Sequence, residues 1–121
     1  QWQTGNVTNM GGMFCGAESF TSDLRQWQTG NVTNMSFMFQ GASSFTSDLS
    51  QWQTGNVTNM KEMFWHGGMF CGAESFTSDL RASSFTSDLS QWQTGNVTNM
   101  ASSFTSDLSR WQTGNVTKMS W

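Results

Sequence analysis

The chain of 121 residues has no proline, no tyrosine and no isoleucine, a single histidine and two cysteines. Without proline, no turn is set by a locked φ, so chain reversals must rest on Gly, Asn, Asp and Ser. Without isoleucine, and with only five leucines and five valines, a core has to be assembled largely from 9 Met, 10 Phe and 7 Trp. Burying one such side chain fully is worth about 1.5–3 kcal/mol, so a core is within reach if these residues fall on one side of the chain. Charge is also scarce. Only 11% of residues are charged and the net charge is −3, which excludes the basic patch that nucleic acid requires. No apolar run approaches the ~20 residues of a membrane helix. The length admits one domain. The chain opens on Gln1-Trp2 without a signal-like stretch, and it begins and ends inside a repeat, so it reads as a fragment of a longer chain.

What is present is periodic. Trp2, Trp27 and Trp52 lie 25 residues apart and each opens the run WQTGNVTNM, which recurs at Trp92 and, as WQTGNVTKM, at Trp111. A second block, FTSDL, starts at Phe20, Phe45, Phe76, Phe85 and Phe104. One full unit runs from Trp27 to Gln51. Within it Met35, Met38, Phe39 and Ala42 fall at i, i+3, i+4 and i+7, the apolar stripe of a short helix. Thr33 precedes the stripe as an N-cap candidate and Gly41 stands where such a helix would end. A helix of about two turns cannot persist alone and has to be held by packing. Thr54-Gly55-Asn56 predicts a turn, and the stretch 48–53 predicts a short strand. One strand, one turn and one short helix per unit predict an α/β fold: a tandem-repeat solenoid whose stacked coils share one core. The residues assigned to that core are Trp2, Val7, Met10, Met13, Phe14, Phe20, Leu24, Trp27, Val32, Met35, Met38, Phe39, Phe45, Leu49, Trp52, Val57, Met60, Met63 and Phe64.

The array 1–121 is one domain, regular over 1–64 and irregular over 65–121. Trp52 to Trp92 is 40 residues and Trp92 to Trp111 is 19. Gly67–Arg81 repeats Gly11–Arg25 without change, and Ala82–Met100 repeats Ala42–Met60. Such copies point to duplication or an assembly fault. The 19-residue unit lacks the segment matching Ser36–Gly41, and with it the Met-Phe pair. It is expected to leave a gap or collapse on its neighbour, with order falling toward the C-terminal half.

The pattern W-x-T-x-x-V-T-x-M-x-x-M-F-x-G-A-x-x-F-x-x-D-L at Trp27 to Leu49 resembles the BspA-like repeat of bacterial surface proteins, over essentially the whole chain. That family usually has Asp or Asn after the tryptophan, where this chain has Gln3, Gln28, Gln53, Gln93 and Gln112. The resemblance implies a leucine-rich-repeat-like solenoid on a cell surface or secreted, associated with adhesion or protein binding. The leucine consensus L-x-x-L-x-L-x-x-N itself is absent.

Cys15 and Cys71 share a phase, but two coils of ~4.8 Å separate them by more than the ~7 Å a disulfide allows, so free thiols are expected. His66 has no evident metal partners and is expected to face solvent in a loop. The recurring aspartates Asp23, Asp48, Asp79, Asp88 and Asp107 suggest Asx-turns over a calcium ladder, since the calcium-repeat signature is missing. Asn6, Asn31, Asn56, Asn96 and Asn115 each form an N-V-T sequon. At ~5 Å between coils, glycans on all of them would collide, so backbone-bonded amides are the better account. The tryptophan column at 2, 27, 52, 92 and 111 fits either a sugar-binding face or core, and the shared spacing of Leu24 and Leu49 favours core. No nucleophile with a histidine partner and no convergent carboxylate pair is present, so no enzyme, cofactor or metal is expected. The expected partner is a protein or glycan surface, with end-to-end self-association of the fragment.

Overall fold

The computed structural model describes residues 2–64, 89–101, 110–111 and 113–120. Its organisation follows from one rule: each unit bends through a series of tight turns, and the backbone groups left over bond to the next unit. The turns recur at fixed phase. Val7, Val32, Val57, Val97 and Val116 each donate their N–H to the carbonyl of the threonine three residues earlier, all at 3.0 Å. Trp27, Trp52 and Trp92 likewise close a turn on Leu24, Leu49 and Leu89. Gly-Asn at the centre of the first turn and an Asx residue ahead of the second supply the local chemistry.

The expected solenoid coil of one helix and one strand is corrected here. Among the described residues there is no helix, and the strand expected at 48–53 is absent. The strands among the described residues are β1 (Asn99–Ala101) and β2 (Lys118–Ser120), paired in parallel as Asn99↔Lys118, Met100↔Met119 and Ala101↔Ser120. Earlier units contribute single parallel bridges, Asn9↔Asn34, Asn34↔Asn59 and Asn59↔Asn99.

The segment Met35 to Ala42, whose spacing predicts a helix, forms successive turns instead. Met38, Gln40 and Ala42 bond to carbonyls three residues back. Between them, Met35, Phe37 and Phe39 bond instead to Asn59, Lys61 and Met63 of the following unit, at 2.8–2.9 Å. Alternate N–H groups thus leave the segment and the others reach only three residues back, whereas past its first turn an α-helix bonds every N–H to the carbonyl four residues back. Phe37 also sits at φ 59°, in the left-handed region that a right-handed helix cannot contain. Its equivalents in the flanking units, Gly12 (φ 67°) and Glu62 (φ 51°), share that conformation. Gly41 is left-handed too (φ 71°), and a Cβ there would lie 3.6 Å from the Cα of Gly16 in the previous unit. Thr33 does not cap; its hydroxyl donates to the Thr8 carbonyl at 3.1 Å.

The apolar stripe is nonetheless buried. Met35, Met38, Phe39 and Ala42 are all core, joined by Met10, Met60, Met63, Phe64, Val32, Val57, Phe45 and Leu49. Ring columns run through it: Phe14, Phe39 and Phe64 stack at 5.5 and 5.4 Å, and Phe20 on Phe45 at 5.7 Å. Val7, Met13, Phe20 and Trp27, in or next to the first unit, are only partly buried against this core. Trp2, assigned to the core from sequence, is 67% exposed, because it packs against Trp27 with nothing described on its other side.

The unequal units do not disturb the stacking of the WQTGNVT edge. Trp52 and Trp92, 40 residues apart, stack at 6.5 Å, and Trp92 and Trp111, 19 apart, at 6.1 Å, against 6.4 Å for the regular pair Trp27–Trp52. Thr98 N–H bonds to Thr58 O and Thr117 N–H to Thr98 O at 2.9 Å, as Thr58 does to Thr33. At this edge the 19-residue unit therefore shows neither gap nor collapse. In that unit Ala101 follows Met100 where Ser36 and Lys61 follow Met35 and Met60, and the chain is extended through Ala101 as β1. Residues 65–88 and 102–109, on which the remaining expectations for the irregular half fall, lie outside the described residues.

Candidate functional site

The surface built in the same way at every step is the W-Q-T-G-N edge. Threonine fixes it from beneath. The Thr29 hydroxyl, buried, accepts from Gln53 N–H at 3.0 Å and donates to Gln53 O at 3.2 Å. Thr54 does the same to Gln93 at 2.9 and 3.3 Å, and Thr4 accepts from Gln28 N–H at 2.9 Å. Asparagine ties the turn above. Asn31, Asn56 and Asn96 each donate Nδ2–H to the glycine carbonyl of the preceding edge, Gly5, Gly30 and Gly55, at 2.7 Å. Asn115 does so to Gly95.

The indoles lie inward. Trp52, Trp92 and Trp111 are buried, and each donates its ring N–H to a leucine carbonyl: Leu24, Leu49 and Leu89, at 2.9–3.1 Å. Their faces cover one another, near-parallel for Trp27–Trp52 (6°) and Trp52–Trp92 (1°). An open row of aromatic faces is therefore not what the column offers.

Glutamine forms the outer layer. A Cβ on Gly5, Gly30 or Gly55 would meet the Oε1 of Gln28, Gln53 or Gln93 at 2.5–2.6 Å, so each glycine makes room for the amide of the next edge. The side-chain amides of these three glutamines have no hydrogen-bond partner among the described residues, and all three are exposed. With Gln26, Gln51 and Gln91 on the other side of each tryptophan, they frame open grooves that recur from edge to edge; the one over Trp52 has a volume of about 820 Å³. No charged side chain lines them. Gln112 lies outside the described residues.

The chain belongs to the DUF285 family. Its profile, described as "Mycoplasma protein of unknown function, DUF285", matches residues 1–81 and 80–121. No curated protein and no solved structure is significantly similar to the chain. The glutamine layer and the threonine bridges, which set the surface of this DUF285 array, were not singled out from sequence. The signal for them was the unvarying Q-T-G after Trp2, Trp27, Trp52, Trp92 and Trp111.

The other candidate positions of the DUF285 array resolve as follows. Cys15 is disulfide-bonded, which overturns the free thiol expected from evenly stacked coils; Cys71 lies outside the described residues. Asp48 Oδ1 accepts Ser50 N–H, and Asp23 Oδ1 accepts Arg25 N–H, both at 2.9 Å, as Asx-turns. Asp23 also pairs with the Arg25 guanidinium at 2.6 Å on an exposed corner, and that hydrogen bond holds its carboxyl down at about 2. Asp79, Asp88, Asp107 and His66 lie outside the described residues. Among those described, no three His, Cys, Asp or Glu side chains converge, and no helix is long and apolar enough to cross a membrane.

Proposed function

We propose that the chain is a non-catalytic repeat module of a cell-surface or secreted protein, a structural scaffold for adhesion or protein–protein binding. The observation that carries this is the outer layer of the W-Q-T-G-N edge: exposed, uncharged amides repeated at each step over a continuous core. Such an arrangement offers contact area many times over and no place to move a proton or hold a nucleophile. The resemblance of Trp27–Leu49 to the BspA-like surface repeat points the same way. Tryptophan faces stacked on each other and indole N–H groups bonded inward disfavour the alternative of a sugar site made from a row of tryptophans.

The test is adhesion. Beads carrying the 121-residue chain should bind cells and extracellular-matrix-coated surfaces saturably, and soluble chain should compete. Beads that bind no better than beads carrying an unrelated acidic protein would refute the reading.

A further inference from the structure

The outer layer has a property that a scaffold alone does not require: its chemistry is the same along the three edges of Trp2, Trp27 and Trp52, and only at Trp111 does a charged residue, Arg110, take the place of the preceding glutamine. The groove beside Trp2 is framed by Gln26 and Gln28, that beside Trp27 by Gln28, Gln51 and Gln53, and that beside Trp52 by Gln51, Gln53, Gln91 and Gln93. A protein surface that lacks this repeat would fit one step and miss the next. A partner made of identical units meets each step alike and gains from each by multivalency.

The lining then fixes the chemical class. Without Lys or Arg in the grooves there is nothing to neutralise an anionic polymer. Each glutamine amide supplies two N–H donors and a carbonyl acceptor. Those of Gln28, Gln53 and Gln93 have no protein partner among the described residues, and a glycine beside each admits its carbonyl oxygen. Groups that donate and accept at once suit a hydroxyl, which does both. We infer that the glutamine columns bind a neutral polysaccharide strand laid along the stack, one sugar hydroxyl cluster per edge, held by amide hydrogen bonds and not by ring stacking. This rests on the binding-module reading above and names the ligand of that surface.

The 121-residue chain should be run in affinity gels containing neutral glucans, galactans, mannans or xylans, with heparin as the anionic comparison. At least one neutral polymer should retard it. Calorimetry with oligosaccharides of that polymer should then show affinity rising with length and unmoved by salt. Gln28→Ala and Gln53→Ala should each weaken binding about five-fold, the worth of one hydrogen bond. Their thermal midpoints should stay unchanged, since those amides bond nothing in the protein. Gly30→Ala, whose Cβ must push the Gln53 amide aside, should weaken it similarly. Retardation by none of the neutral polymers, affinity independent of length, or glutamine variants that bind as well as the parent would each overturn the inference. Cell adhesion that survives in the double glutamine variant would overturn the inference yet leave the binding-module reading standing. Absence of adhesion in the parent chain strikes that reading directly.

Discussion

Replacing Thr29 by valine tests the hydrogen-bond logic that joins one unit to the next. Valine has nearly the shape of threonine, so no cavity opens at a residue that is 1% exposed. What disappears is a hydroxyl that serves both the N–H and the carbonyl of Gln53. Those two groups lie toward the surface, so water recovers part of the loss. A buried group left without a partner costs about 1–3 kcal/mol, and with partial recovery the pair should cost about 2 kcal/mol. For a domain of this size that corresponds to a drop of about 1 M in the urea midpoint, followed by tryptophan fluorescence. Thr29→Ser keeps the hydroxyl and loses one methyl, so it should cost about 0.8 kcal/mol, less than half as much. Amide exchange at Gln53 should accelerate in the valine variant and not in the serine variant. If valine is as stable as threonine, or if serine is as damaging as valine, the hydroxyl bridge is not what couples the units.

Met38→Ala removes a fully buried side chain from the core and should cost about 2–5 kcal/mol in the same urea experiment. Gly12→Ala places a Cβ in the left-handed region with open space around it, so strain alone acts; a loss of about 1 kcal/mol is expected, and no loss would contradict the assigned φ. The Asp23 carboxyl, followed by NMR, should titrate near 2, and Arg25→Ala should return it toward the ordinary value of 3.8. Because its folded pKa lies below the unfolded one, this pair stabilises the chain above pH 3.8, and the effect fades as pH falls through the interval from 3.8 to about 2. It should be small at a fully exposed corner. An unshifted titration in the parent chain would remove the ion pair from the account.

The sequence by itself determined the unit, its phase and which side of it is apolar. Trp27, Val32, Met35, Phe45 and Leu49 announce themselves because unit after unit repeats them, as do Met38 and Phe39 outside the 19-residue unit, and repetition is a one-dimensional property. The turn at Thr54–Asn56 was legible for the same local reason, since Gly-Asn chemistry acts within four residues. Tertiary structure decided the rest. Met35, Met38, Phe39 and Ala42 carry helical spacing, yet the spacing marks only which side chains go inward. Whether Phe37 N–H bonds within its own unit or to Lys61 depends on a neighbour 24 residues away, and that neighbour won. The partner of Gln53 N–H, the inward tilt of Trp52 toward Leu24 and the room that Gly30 leaves for an amide are likewise facts about two units in contact. So is the tolerance of the edge for units of 40 and 19 residues. Sequence counts residues between tryptophans, whereas the stack registers only the hydrogen bonds and rings that meet at the edge.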